Sequence, residues 1–259
     1  MPKGYAHYRF GVTVLPTMPA DARRTIQRFR NLFDAGLYGP DIFYFKAPVV
    51  TTKNAYLGIK FHEQTGREFF SRVCRMVRSA HSEGMRAYLY GLLCHYALDS
   101  AWHHCFAEKE TETTQIEMET ELDRLLLEQE GKSLTHAQEL STHLQLTPGE
   151  CETVAKFYPP ATAAEVRSAL RNMTNAMKWM ATPHAHIRGV MEKGLEKFSP
   201  KMRGMLMSEE PNPRCCPWHG EMLECYEGAL AHFSELLTQL QALLTYNGAL
   251  GPEFDEIFG

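Results

Sequence analysis

The run EGMRAYLYGLLCHYALDSAWHHCF, residues 83–106, constrains the fold of this chain more than any other stretch. With Ser82 placed to cap it, the run reads as one long helix, apolar around most of its circumference. A helix without a solvated face belongs in the middle of a protein, surrounded by other elements. Yet the same run carries His95, Asp99, His103 and His104. Buried titratable groups are costly unless they are paired, hydrogen-bonded or bound to a metal. Something inside the fold must satisfy these.

Helical periodicity dominates the rest of the chain, and neither β alternation nor an Asn-Gly hairpin turn interrupts it. Residues 19–35 read as a helix opened by Pro19 and closed by Gly36. Residues 37–54 read as an irregular connection with Gly39, Pro40 and Pro48. Thr65 and Glu68 have capping-box spacing, which predicts a helix from there to about Ala80. Another helix is expected over about 112–129, ending at Gly131. Thr147 with Glu150, and Thr162 with Glu165, repeat the capping spacing and open a short helix and a long one, the latter kinked at Pro183. Residues 198–218 form a proline-punctuated loop, and a last helix covers about 219–246. No repeat or linker separates two cores, so the expected architecture is a single all-α domain over residues 1–259.

Charge narrows the functional classes. The formal net charge is −4, and Lys and Arg are scattered apart from a mild cluster at Arg23, Arg24, Arg28 and Arg30. No groove able to track a nucleic-acid backbone is expected from that pattern. No stretch is long and apolar enough for a membrane span, and the start lacks a secretory core, so a cytoplasmic protein starting at Met1 is expected. Seven irregularly spaced cysteines are read as reduced thiols, with Cys94 and Cys105 as small core residues. The pattern CCPWH, residues 215–219, reads as a loop rather than a thiolate metal site. His136, His143, His184 and His186 are expected at the surface, and the Met-rich 202–207 as gap-filling. Oligomeric state leaves no signal.

His95, Asp99 and His103 are spaced i, i+4, i+8, so each neighbouring pair stands about 6 Å apart along the helix axis. Neighbours can share one ion, whereas the outer two, about 12 Å apart, cannot. The spacing fits one ion near His95 and Asp99, or two with Asp99 between them. Further ligands must then arrive from elsewhere. His62 precedes the capped helix at Thr65, Asp41 sits in the turn GPDIF, His7 lies near the N-terminus ahead of regular structure, and Glu119 is on the following helix.

GPDIFYF, FHEQTGREFF, YLYGLLCHYALDSAWHH and IEMETELDRLL together resemble the zinc-dependent phospholipase C family, whose helical fold is shared with zinc nucleases. The resemblance covers roughly residues 7–125 and continues more weakly through PWHGEMLECYEGALAHFSELL. It implies one to three zinc ions. Asp41, His62, His95 and Asp99 are implied as the first site; Asp41, His103 and Glu119 as the second, with Gln115 where a histidine is expected and His104 as a substitute. A third site would use Asp99 and His7, but its N-terminal Trp has no counterpart here, so it is expected to be weak. The implied activity is hydrolysis of a phospholipid or another phosphodiester, with Asp41 orienting or deprotonating the attacking water. A nuclease or nucleotidase on the same fold, or a helical protein with one structural zinc, are the alternatives. Phe43, Tyr44 and Phe45 read equally as an aromatic wall that binds substrate or as plain core packing, and no appended β-sandwich is expected.

Overall fold

A computed structural model describes residues 4–46, 52–107, 113–182, 184–198 and 202–258. Among these, twelve α-helices follow one another: α1 (Gly4–Val14), α2 (Ala20–Arg28), α3 (Arg30–Gly36), α4 (Thr52–His62), α5 (Gly66–Ala80), α6 (Glu83–Phe106), α7 (Gln115–Gln129), α8 (Leu134–Glu139), α9 (Pro148–Ala155), α10 (Ala163–Met180), α11 (Ala185–Phe198) and α12 (His219–Tyr246). No strand forms among the described residues; a lone bridge pairs Thr65 with Ile257. The fold is all-α, as the periodicity implies.

Helix α6 is the axis. Eighteen of its 24 residues are buried, and α1, α2, α3, α5, α9 and α12 all pack on it. Its start is fixed where expected, with the Ser82 hydroxyl accepting the Met85 amide. Helix α3 crosses α6 at backbone contact: a Cβ on Gly91 would lie 2.1 Å from the Phe33 carbonyl oxygen. Only glycine permits that approach. The expected caps at Thr65, Thr147 and Thr162 are formed, the last two as complete capping boxes, and α12 begins and ends as expected. The helix expected from about 112 begins at Gln115, with Thr114 and Glu117 making its capping box; residue 112 itself lies outside the described residues.

Four expectations need correction. The helix expected over 19–35 is two helices, interrupted at Phe29 with φ −123° and ψ 46°. Leu32 and Phe33 after the break are buried, as are Ala22 and Ile26 before it. The connection expected over 37–54 contains a 3-10 segment, Gly39–Phe45, followed by the unexpected α4 from Thr52. His62 therefore closes α4 as well as preceding the capped helix at Thr65; residues 47–51, Pro48 among them, lie outside the described residues. His7 lies inside α1, not ahead of regular structure. That helix, GYAHYRFGVTV, is poor in strong helix formers, and its opening amides are capped from a distance: Asp123 on α7 accepts Ala6 N at 2.8 Å and Tyr5 N at 3.1 Å. The long helix expected after Thr162 is two, α10 and α11; the kink residue Pro183 lies outside the described residues.

After α12 the chain folds back as an aromatic clasp. Phe254 and Phe258 are fully buried, and Phe258 stands 5.8 Å from Phe70 and 6.2 Å from His95 between ring centres. The Tyr96 hydroxyl donates to the Glu253 carbonyl at 2.8 Å, and Gly66 N donates to the Glu256 carbonyl at 2.9 Å. Thus α5, α6 and the clasp enclose one side of the stripe on α6.

Candidate metal centre

Three segments deliver four side chains to one point. Asp41 comes from the 3-10 segment, His62 from the last turn of α4, and His95 and Asp99 from successive turns of α6. Each offers a donor atom within 4.8 Å of every other, and all four are buried, at 0–3% exposure. The individual approaches are 2.9 Å from His62 Nε2 to Asp41 Oδ1, 3.2 Å from His95 Nε2 to Asp99 Oδ2, and 3.7 Å from His62 Nε2 to Asp99 Oδ2. A tetrahedral zinc with bonds of about 2.0–2.1 Å separates its donors by about 3.3 Å. The four atoms bracket that spacing.

Both histidines are locked in the tautomer a metal needs. His62 Nδ1 donates to the Gly58 carbonyl one turn back at 2.7 Å, and His95 Nδ1 donates to the Leu37 carbonyl at 3.2 Å. With the Nδ1 proton committed, the neutral ring turns its Nε2 lone pair inward. His62 Nε2, His95 Nε2, Asp41 Oδ1 and both Asp99 oxygens are buried without hydrogen-bond geometry to any partner. A lone pair 2.9 Å from a carboxylate oxygen is unfavourable unless a cation lies between them. The donor set, nitrogen and oxygen only, suits zinc.

His7 stands at the edge of this group. Its Nε2 lies 3.2 Å from Asp99 Oδ1, and its ring stacks on His95 at 4.5 Å. Asp99 is thereby shared by three imidazoles. Gly39 shapes the opposite wall: its φ is +47°, and a Cβ there would fall 2.5 Å from the His95 ring. Gly39→Ala is expected to destabilise the fold by about 1–3 kcal/mol and to weaken zinc binding, because the left-handed backbone and the His95 ring both resist a methyl. Chemical denaturation and zinc titration of that variant check both effects.

Burial and neighbouring charge act differently on the two inward histidines. Burial pushes His95 down to about 4, against the pull of Asp99. For His62 burial also lowers the pKa, but the Asp41 and Asp99 carboxylates and the Gly58 carbonyl together outweigh it and the net shift is upward. The Asp99 carboxyl is raised by burial, yet His95 and His7 hold it below the usual range. In zinc-free protein, His62 is therefore expected to protonate first on acidification and His95 only near pH 4, as imidazole NMR titration would show. The sign follows for stability. His95, depressed in the fold, contributes a loss as pH falls from about 6.5 towards 4; His62, raised, contributes stability below about 6.5 that is lost as pH rises through its folded value.

The lower part of the stripe lies elsewhere. His103 is half-buried and lines a small cavity with Trp102, Phe106, Ala107, Met118 and Gln115, the residue standing where the resemblance implies a histidine. Glu119 is buried on α7, and His104 is exposed, facing a different groove. Among the described residues, none of the three joins the group of Asp41, His62, His95 and Asp99. In the aromatic segment, Phe43 is enclosed against Tyr158, whereas Tyr44 is half-buried with its ring 5.3 Å from that of His62, and Phe45 is half-buried.

Around CCPWH no metal group forms among the described residues. Cys216 is exposed; burial, with Glu121 and Glu117 nearby, pushes the Cys215 thiol up to about 12, which disfavours a thiolate ligand. None of the seven cysteines forms a disulfide. His136, His184 and His186 are exposed as expected, but His143 is half-buried against the Tyr8 ring at 5.0 Å. Sequence reasoning missed the carbonyls of Gly58 and Leu37, the Asp123 cap and the Phe258 wall. Only the first had a local signal, the i, i+4 relation of Gly58 to His62.

The family model described as zinc dependent phospholipase C matches residues 6–163, a span that contains every residue of the four-membered group. No curated protein and no solved structure matches the chain.

Proposed function

Because the chain belongs to the zinc-dependent phospholipase C family, a family of zinc-dependent hydrolases of phosphoester bonds, we propose that it cleaves a phospholipid between phosphorus and the glycerol oxygen. The observation that carries this reading is the buried convergence of Asp41, His62, His95 and Asp99 with both Nε2 lone pairs turned inward. Bound there, zinc would neutralise phosphate charge and lower the pKa of a water molecule.

The chain's own groups divide the remaining work. Asp99 and His95 hold position from a rigid helix, and His62 and Asp41 close the group from the other side. Asp41 is assigned as the residue that orients the attacking water and takes its proton. A new P–O bond forms as the bond to the glycerol oxygen breaks. That oxygen leaves as an alcohol after gaining a proton, and the phosphorylated head group is the second product. Tyr44, beside His62, is assigned to the wall facing the substrate, where an aromatic face would favour a cationic head group.

The test is zinc analysis of the purified protein combined with hydrolysis of a short-chain phosphatidylcholine and, separately, of single-stranded DNA. Zinc-dependent release of phosphocholine is expected. Failure to retain zinc after zinc incubation, or hydrolysis of DNA alone, would overturn the reading.

A further inference from the structure

Helix α11 is unlike the other long helices: none of its described side chains is buried. A 14-residue helix with an apolar stripe at i, i+3, i+4 and i+8, here Ile187, Val190, Met191 and Leu195, ordinarily hides that stripe in a core. Instead, Ile187 is 45% and Val190 62% exposed. Trp179, at the end of the preceding helix α10, is 63% exposed. These are three of the six large apolar side chains that stand exposed among the described residues, and they lie within twelve positions of one another.

The surrounding charge identifies the occupant. Residues 163–198 carry six Lys and Arg against three Glu, in a chain whose formal net charge is −4. A groove of about 350 Å³ along α10 is lined by Arg167, Arg171 and Lys178 together with Thr174, and no carboxylate lines it. An amphipathic helix with exposed aliphatic residues, a neighbouring Trp and basic flanks matches a surface that is greasy below and anionic above. No described helix is long and apolar enough to cross a membrane, so the match is to lying on the surface.

We propose that α11 and the adjoining end of α10 form a docking surface for an anionic lipid bilayer. Ile187, Val190 and Trp179 enter the head-group boundary, and Arg167, Arg171 and Lys178 face the lipid phosphates. The proposal rests on the phospholipid reading only for its biological setting; the physical match of helix to surface stands by itself.

The experiment is co-sedimentation of the full chain with vesicles of phosphatidylcholine containing about one-third phosphatidylglycerol, compared with pure phosphatidylcholine and with a high-salt buffer. Binding is expected to the anionic vesicles, to weaken in salt, and to fall by about tenfold or more in the I187E/V190E double variant. Both positions are exposed, so circular dichroism should be unchanged. Trp179→Ala is an independent second variant and should weaken binding likewise. Unchanged sedimentation of both variants would overturn the proposal. So would a dimer, seen by light scattering, that the same double variant dissociates, because the face would then be a contact between copies. Turnover of a soluble short-chain substrate separates the two readings: it should survive I187E/V190E. Vesicle binding without any hydrolysis would defeat the proposed function and leave the docking surface standing.

Discussion

Asp99→Asn is expected to lower zinc affinity by at least about 10³-fold and to reduce hydrolysis in step. Loss of an outer partner of a metal ligand already costs about 10–100-fold, and Asp99 is more central than that. Its carboxylate lies within 3.7 Å of His7, His62 and His95 Nε2, and it supplies one of only two negative charges in the group. Asparagine keeps the volume and one carbonyl oxygen but carries no charge, so the fold persists while the cation loses its main counter-ion. The matched control is His103→Ala, which should leave affinity at the four-residue group within about threefold, since His103 is not a member of it. Isothermal titration with zinc separates the two variants. An Asp99→Asn protein that binds one zinc within tenfold of the parent's affinity would remove Asp99 from the centre.

Chelation should unfold the protein at a markedly lower temperature. A ligand that binds only the native state, present at about 1,000 times its Kd, stabilises by about 4 kcal/mol. For a chain of this size each kcal/mol moves Tm by about 2–4 °C, so stripping zinc with EDTA should lower Tm by about 8–16 °C. The physical source is visible in the fold. Without the cation, inward lone pairs and carboxylate oxygens remain crowded and buried with no good hydrogen-bond geometry. Scanning calorimetry with and without EDTA reads the shift, and Asp99→Asn should be nearly insensitive to the chelator. An EDTA effect under about 2 °C in the parent protein would show that the group is not built around an ion.

The parts of this fold legible in the sequence are those with local physics. Ser82, Thr65, Thr147 and Thr162 announce helix starts because a hydroxyl or a reciprocal carboxylate satisfies amides three residues away. The i, i+4 pairing of His95 and Asp99 is equally local, and the turn GPDIF does carry Asp41 inward. What stayed hidden depends on distant residues. Helix α1 draws its cap from Asp123, 117 positions beyond Ala6, and its own composition argues weakly for a helix. Helix α4 contains Gly58, which weakens its propensity, and a Cβ there would lie 3.2 Å from the Tyr44 ring. The division of the stripe was likewise a tertiary matter: spacing alone allows His103 to share an ion with Asp99, but the group closes around His62 and Asp41 instead.

The aromatic clasp has a consequence for the order in which the protein is made. The four residues of the group lie between positions 41 and 99, but the ring beside His95 belongs to Phe258. A growing chain therefore carries these four residues long before the ring that packs beside His95. Contacts spanning 163 positions also form slowly, since the intervening chain must first be ordered. The enclosure of Asp41, His62, His95 and Asp99 is thus completed only when residues far along the chain have folded back onto it.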